Sequence, residues 1–261
     1  SFFVKSGTST NVRTDIWDTI QSTQCSIQVD LVTKSVSNFI GTSYKIEDYT
    51  NGWMRISVTF TSESSLGTTF NRYFNADSVG TELYIWGAQL EAGSYATSYI
   101  PTQGSAVTRL ADSCSNGGND QVINSEEGVL YLEMSALGND GTFRYISLIN
   151  DASNFVQIYY KDSSNRISAI VKSSGSTQFF VNHDLSDVTN FIKVAIKYKQ
   201  NDFALWVDGV EVATDTSGNT PSGLSELDFD FLGGNKFSGN VKDVKVYNTA
   251  LTDSELAALT T

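Results

Sequence analysis

Phe203-Ala204-Leu205-Trp206-Val207-Asp208-Gly209-Val210-Glu211-Val212-Ala213 reads as two strands joined by a two-residue turn. Asp-Gly between apolar alternating runs is a strong hairpin signal, because a type I′ turn needs positive φ at both central residues. Alternation puts Phe203, Leu205 and Val207 on one face and Trp206 on the other. Working outward, the same period of two recurs. Met54, Ile56, Val58 and Phe60 share a face, as do Leu130, Leu132 and Met134, and again Ile192, Val194, Ile196 and Tyr198. Half-buried strands produce this pattern. Asn51-Gly52, Ser163-Ser164-Asn165, Ser173-Ser174-Gly175 and Gly233-Gly234-Asn235 punctuate the runs at the short intervals of antiparallel sandwiches. A single helix is predicted, at the C-terminus, where Thr252-Asp253-Ser254-Glu255 forms a capping box and Leu251 and Leu256 a hydrophobic staple. The expected fold is all-β: two tandem antiparallel β-sandwiches (jelly rolls) and one short C-terminal helix. Residues 101–125 are rich in Gly, Ser and Asn, which places the modules at 1–112 and 125–261 with a linker at 113–124.

Composition narrows the function. The 261 residues include 60 Ser and Thr, 27 Phe and Tyr, two Pro and one His, with a net charge of −12. The acidic balance argues against nucleic-acid binding, which needs a basic footprint. One histidine, His183, cannot build a multi-histidine metal site, and Cys25 and Cys114 lack zinc or thioredoxin spacing. They could form one disulfide. No apolar run is long enough to cross a bilayer as a helix. Ser1-Phe2-Phe3-Val4-Lys5-Ser6-Gly7 opens the chain without Met and inside a strand pattern, so the first module is expected to be N-terminally incomplete.

Two resemblances add to this. Leu83-Tyr84-Ile85-Trp86-Gly87-Ala88-Gln89-Leu90-Glu91, continuing through Tyr95-Ala96-Thr97-Ser98-Tyr99-Ile100-Pro101-Thr102, resembles a stretch common in bacteriophage tail and appendage proteins. With Asn51-Gly52-Trp53-Met54-Arg55-Ile56-Ser57 it is similar to the closing half of a jelly roll related to carbohydrate-binding modules. Calcium-binding modules of that kind often place acidic residues in the last strand, where this chain has Trp86 and Gly87. Across 125–261, the hairpin above and the ending Gly239-Asn240-Val241-Lys242-Asp243-Val244-Lys245-Val246-Tyr247-Asn248-Thr249-Ala250-Leu251 resemble the laminin G-like, concanavalin A-like superfamily. That resemblance implies a sandwich whose relatives commonly bind glycans, often near calcium, while many act as adhesion or packing modules.

Catalytic chemistry finds little support. Glu226-Leu227-Asp228-Phe229-Asp230-Phe231 is similar to the Glu-x-Asp-x-x-Glu strand of one glucanase family, with Glu226, Asp228 and Asp230 on one face. Phe231 stands at the third carboxylate position, leaving no acid or base there. His183 adjoins Asp184 but no nucleophile elbow accompanies it. Sugar recognition needs flat apolar faces with nearby hydrogen-bonding groups. Trp206 and Asp208 at the hairpin, the outward member of Tyr159-Tyr160 (taken as Tyr160), and Phe180, Asn182 and His183 are the candidates; ordinary packing is the alternative for the aromatics. Asp151, Asp228 and Asp230 are the candidate oxygen ligands for calcium. Lys193, Lys197 and Lys199 share one strand face, either toward an acidic polysaccharide or to protect an edge.

The expected function is a non-enzymatic phage virion surface protein, a tail fibre or capsid-surface adhesin, binding host-surface polysaccharide. Other virion proteins and further copies of the chain are the expected partners, with no nucleic acid and no membrane insertion. A structural decoration or fibre-spacer protein is the alternative, and a polysaccharide-degrading module a third.

Overall fold

The computed structural model describes residues 1–17, 23–61, 71–108, 117–161, 165–234 and 236–261, and at Asn71 the backbone only. Cys114 lies outside these residues; Cys25 is buried. The chain divides into two compact units, Ser1–Arg109 and Leu110–Thr261.

The first unit comprises β1 (Phe2–Ser6), β2 (Asn11–Trp17), β3 (Thr23–Asp30), β4 (Val36–Ile40), β5 (Ser43–Asp48), β6 (Trp53–Thr59), β7 (Asn71–Asn75) and β8 (Leu83–Trp86). They pair antiparallel in two sheets, ordered β5-β6-β1-β8 and β4-β3-β2-β7. Phe2, Val4, Ile27, Val29, Met54 and Ile56 form the core between them. The alternation that predicted Met54 and Ile56 inward also sends Trp53 and Arg55 to the other face. There Arg55 lies over the Phe3 ring and donates to the Thr97 carbonyl.

The second unit comprises β9 (Glu127–Ala136), β10 (Arg144–Asp151), β11 (Asn154–Tyr160), β12 (Arg166–Ser173), β13 (Ser176–Asp184), β14 (Ile192–Lys199), β15 (Phe203–Val207), β16 (Val210–Asp215), β17 (Glu226–Asp228), β18 (Gly239–Tyr247) and α1 (Asp253–Thr260). Its sheets run β13-β12-β11-β10-β17 and β16-β15-β14-β9-β18, again antiparallel. Leu130, Leu132, Met134, Ile192, Val194, Ile196, Tyr198, Phe203, Leu205 and Val207 all point into the core, the faces that alternation assigned them. Among the described residues the fold is thus all-β, a pair of antiparallel sandwiches with one short α-helix.

Helix α1 begins where the capping box predicts. The Thr252 hydroxyl accepts from the Glu255 N–H at 3.4 Å and the Glu255 carboxylate accepts from the Thr252 N–H at 2.8 Å. Donation from the Thr252 hydroxyl at 2.7 Å, and then from its N–H, holds the Glu255 carboxyl below its ordinary range. Thr252→Ala is expected to cost about 1 kcal/mol, read as a lower urea midpoint for the second unit. Leu256 is fully buried and packs with Val129, Tyr131, Ala195, Ala204 and Trp206, so the helix covers the outer face of the β9-β14-β15 sheet.

Candidate functional site

Strands β13 and β16 are edge strands of opposite sheets, and the chain leaving β13 enters β14, an inner strand of the other sheet. The connection must therefore cross the end of the sandwich. It frames a cleft of about 370 Å³ between His183 and Asp184 at the end of β13, the crossing segment 185–191, and Val207, Asp208, Val210 and Val212 of the β15–β16 hairpin.

Each wall is fixed locally. Asp208 and Gly209 have φ of 46° and 80°, the type I′ geometry that the Asp-Gly pair predicts. The Asp208 Oδ1 accepts the Lys193 N–H at 2.8 Å, and the Asp208 N–H donates to the Lys193 carbonyl at 2.9 Å, tying the turn to β14. In the crossing segment, Val188 is buried, its carbonyl accepts from the Ala136 N–H, and Leu185 N–H donates to the Asn165 carbonyl. Asp187 Oδ1 accepts from the Thr189 N–H and hydroxyl at 2.9 and 2.8 Å. Arg166 Nε donates to Asp184 Oδ1 at 2.6 Å, which holds the Asp184 carboxyl below the ordinary range. The result is a rim of His183, Asp184, Ser186, Asp187, Asn190 and Asp208 above apolar side chains. Of these, Phe191 is 40% exposed and Val210 61%. Flat apolar surface beside hydroxyl, amide and carboxylate groups suits a polyhydroxylated ligand.

The structure brings together His183 and Asp208 of the residues singled out in the sequence and separates the others. Phe180 and Asn182 lie exposed on the outer face of the β13-β12-β11-β10-β17 sheet, with Lys161 over the Phe180 ring and the Ser168 hydroxyl donating to Asn182 Oδ1. Tyr160 is not outward: it is 1% exposed in the core, its hydroxyl donating to the Met134 carbonyl. Its neighbour Tyr159 takes the opposite face, against Phe143 and Tyr145. Trp206 occupies the predicted face, but α1 covers that face and leaves the ring only 8% exposed. It is a packing residue of the helix layer.

Each of the candidate calcium ligands is engaged in a turn of its own. Asp151 Oδ1 accepts from the Ser153 N–H and the Asn154 amide, closing the β10–β11 turn. Asp228 ends β17 and is buried, its two oxygens taken by the N–H groups of Asp230 and Leu232, and burial pushes its carboxyl up. Asp230 in turn accepts from Gly233. The expected row of Glu226, Asp228 and Asp230 on one strand face is broken because the strand stops at Asp228. Among the described residues no three His, Cys, Asp or Glu side chains converge on a point that could hold a metal. Nor do the three lysines form a basic patch. Lys197 is buried and paired with Asp202 at 2.6 Å, Lys199 pairs with Glu127, and Lys193 donates to the Thr261 carbonyl.

Phe191, Asn190, Ser186 and Asp187 were not singled out from the sequence. A signal for Phe191 was present: it immediately precedes the inward-facing Ile192, so alternation turns its ring away from the core.

Residues 130–257 match the Laminin_G_3 family model, described as the concanavalin A-like lectin/glucanases superfamily. The second unit has a laminin G-like, concanavalin A-like fold. Similar solved structures include a leech intramolecular trans-sialidase complexed with 2,7-anhydro-Neu5Ac. It is 20% identical with a TM-score of 0.43, over 52% of this chain and 23% of that one. Domain 4 of AbnA, a GH43 extracellular arabinanase from Geobacillus stearothermophilus, in complex with arabinotriose, is 14% identical with a TM-score of 0.42, over 53% and 68%. A galectin of Caenorhabditis elegans is 12% identical with a TM-score of 0.37, over 53% and 91%. No curated protein matches the chain. The end cleft belongs to this laminin G-like unit: all twelve of its lining residues lie from His183 to Val212.

Proposed function

We propose that this protein is a non-enzymatic surface component of a phage virion, a tail fibre or capsid-surface adhesin, and that its laminin G-like unit holds a host-surface glycan in the end cleft. The observation that carries the reading is the cleft itself, with hydroxyl, amide, imidazole and carboxylate groups around Phe191 and Val210. The phage-type stretch at 83–102 supports the virion setting. Weak single-site affinity is enough for adhesion when many copies act together, since tethering raises effective concentration. A binding role needs no acid–base pair, and the glucanase-like segment supplies none: Asp228 is committed to its own turn.

The test is a bacterial-polysaccharide array and a cell-adsorption assay with the multivalently displayed protein, each run in calcium and in chelator. Binding is expected in at least one glycan class. Phe191→Ala is expected to weaken it about tenfold, near 1.4 kcal/mol, while leaving the urea midpoint close to that of the parent. Absence of binding and adsorption in both buffers overturns the reading.

A further inference from the structure

The charged groups of the cleft are all of one sign. Its lining carries Asp184, Asp187 and Asp208, the single imidazole of His183, and neither lysine nor arginine. The cations on neighbouring elements are each already partnered, two of them by residues of the lining itself. Arg166 is bound to Asp184, and the Lys193 ammonium donates to the Thr261 carbonyl. Lys242 pairs with Glu133 at 3.1 Å and lies 3.9 Å from the centre of the Phe191 ring. The three carboxylates also do not form a metal cage, as no metal-holding cluster occurs among the described residues. They are separate acceptors set around a part-apolar floor.

We propose that the cleft selects sugars without acid groups, favouring those with a free amine, and excludes uronates, sialates and sulfated sugars. This rests on the glycan reading above and specifies its substrate class. A sugar hydroxyl donates to a carboxylate oxygen, and an ammonium does so with charge assistance, the stronger form of hydrogen bond. A sugar carboxylate or sulfate in the same space meets like charge and desolvation, with no lysine or arginine in the lining to offset either. Asp187 and Asp208 contribute most, because Asp184 is already paired with Arg166.

The experiment is calorimetric titration with three oligosaccharides of equal length, built from glucosamine, N-acetylglucosamine and galacturonic acid. The glucosamine oligomer is expected to bind tightest. The galacturonate is expected to bind at least about tenfold more weakly than the N-acetylated oligomer, equal to about 1.4 kcal/mol. The glucosamine preference should shrink with added salt as charges are screened. The double variant Asp187→Asn with Asp208→Asn is expected to bring the three within about threefold of one another, since the carboxylate charges set the order. Asparagine keeps an Oδ1 acceptor for the Thr189 and Lys193 N–H groups and tolerates positive φ, so both turns survive. Galacturonate binding as tightly as the neutral oligomer, or an order unchanged in the double variant, overturns the selectivity and leaves the glycan reading standing. No binding of any of the three overturns the selectivity, while the glycan reading stands or falls on the polysaccharide array and cell adsorption.

Discussion

Trp206→Ala lowers the stability of the laminin G-like unit by about 3–5 kcal/mol, the range for removing a large buried aromatic. The indole is 8% exposed and packs with Val129, Tyr131, Ala195, Ala204 and Leu256. Truncation removes that contact and opens a cavity beneath α1, whose own eight residues are too few to hold a helix without tertiary packing. Trp206→Phe is expected to recover most of the loss, because the buried indole Nε1 has no hydrogen-bond partner among the described residues and therefore no bond to forfeit. Urea unfolding measures both variants. Trp206→Ala with an unchanged midpoint but lost glycan affinity would place the ring at the binding surface instead.

Arg144→Ala is expected to cost about 3 kcal/mol, because it removes a buried guanidinium that donates to three residues. Arg144 is 2% exposed. Its Nε donates to the Ser238 carbonyl at 2.8 Å and to the Ser238 hydroxyl at 3.0 Å, its Nη1 to the Thr142 carbonyl at 2.9 Å, and its Nη2 to Asp140 at 2.7 Å. The fork thus joins the start of β10 to the segment entering β18 and orders residues 140–142 between them. Without it, the Thr142 and Ser238 carbonyls and a largely covered carboxylate lose their donors. Arg144→Lys should rescue little, since a single ammonium cannot reach acceptors arrayed around a planar guanidinium. A lysine variant within about 0.5 kcal/mol of the parent in urea, the scatter of a neutral surface change, would refute that account.

The elements legible in the sequence share a property: each depends on neighbours close along the chain. Alternation identified the core faces of β9, β14 and β15, Asp208-Gly209 the hairpin, and Thr252 with Glu255 the helix start. At Tyr160 the phase of the alternation decides the face. Gln157 and Tyr159 share a face, so Tyr160 continues the inward series of Val156 and Ile158. That signal was local and readable. For Trp206 the face was assigned correctly, but alternation assumes that a strand has one wet face. Here a helix beginning at Asp253 covers it. Lys197, on the same strand face that the helix covers, is likewise buried and paired with Asp202 and with Asp253 of α1.

By itself the sequence determined the all-β class, the inward faces of the strands, the hairpin turn and the cap. These follow from side-chain period and backbone φ, which act over a few residues. Only the tertiary structure decided which polar groups meet. His183 and Asp208 are 25 positions apart and belong to opposite sheets, yet the sandwich sets both edge strands beside the crossing segment. The same packing dispersed Asp151, Asp228 and Asp230 into separate turns and placed Trp206 beneath α1. Strand period says which side of a sheet a residue takes; what lies against that side is settled by the order in which the strands pair.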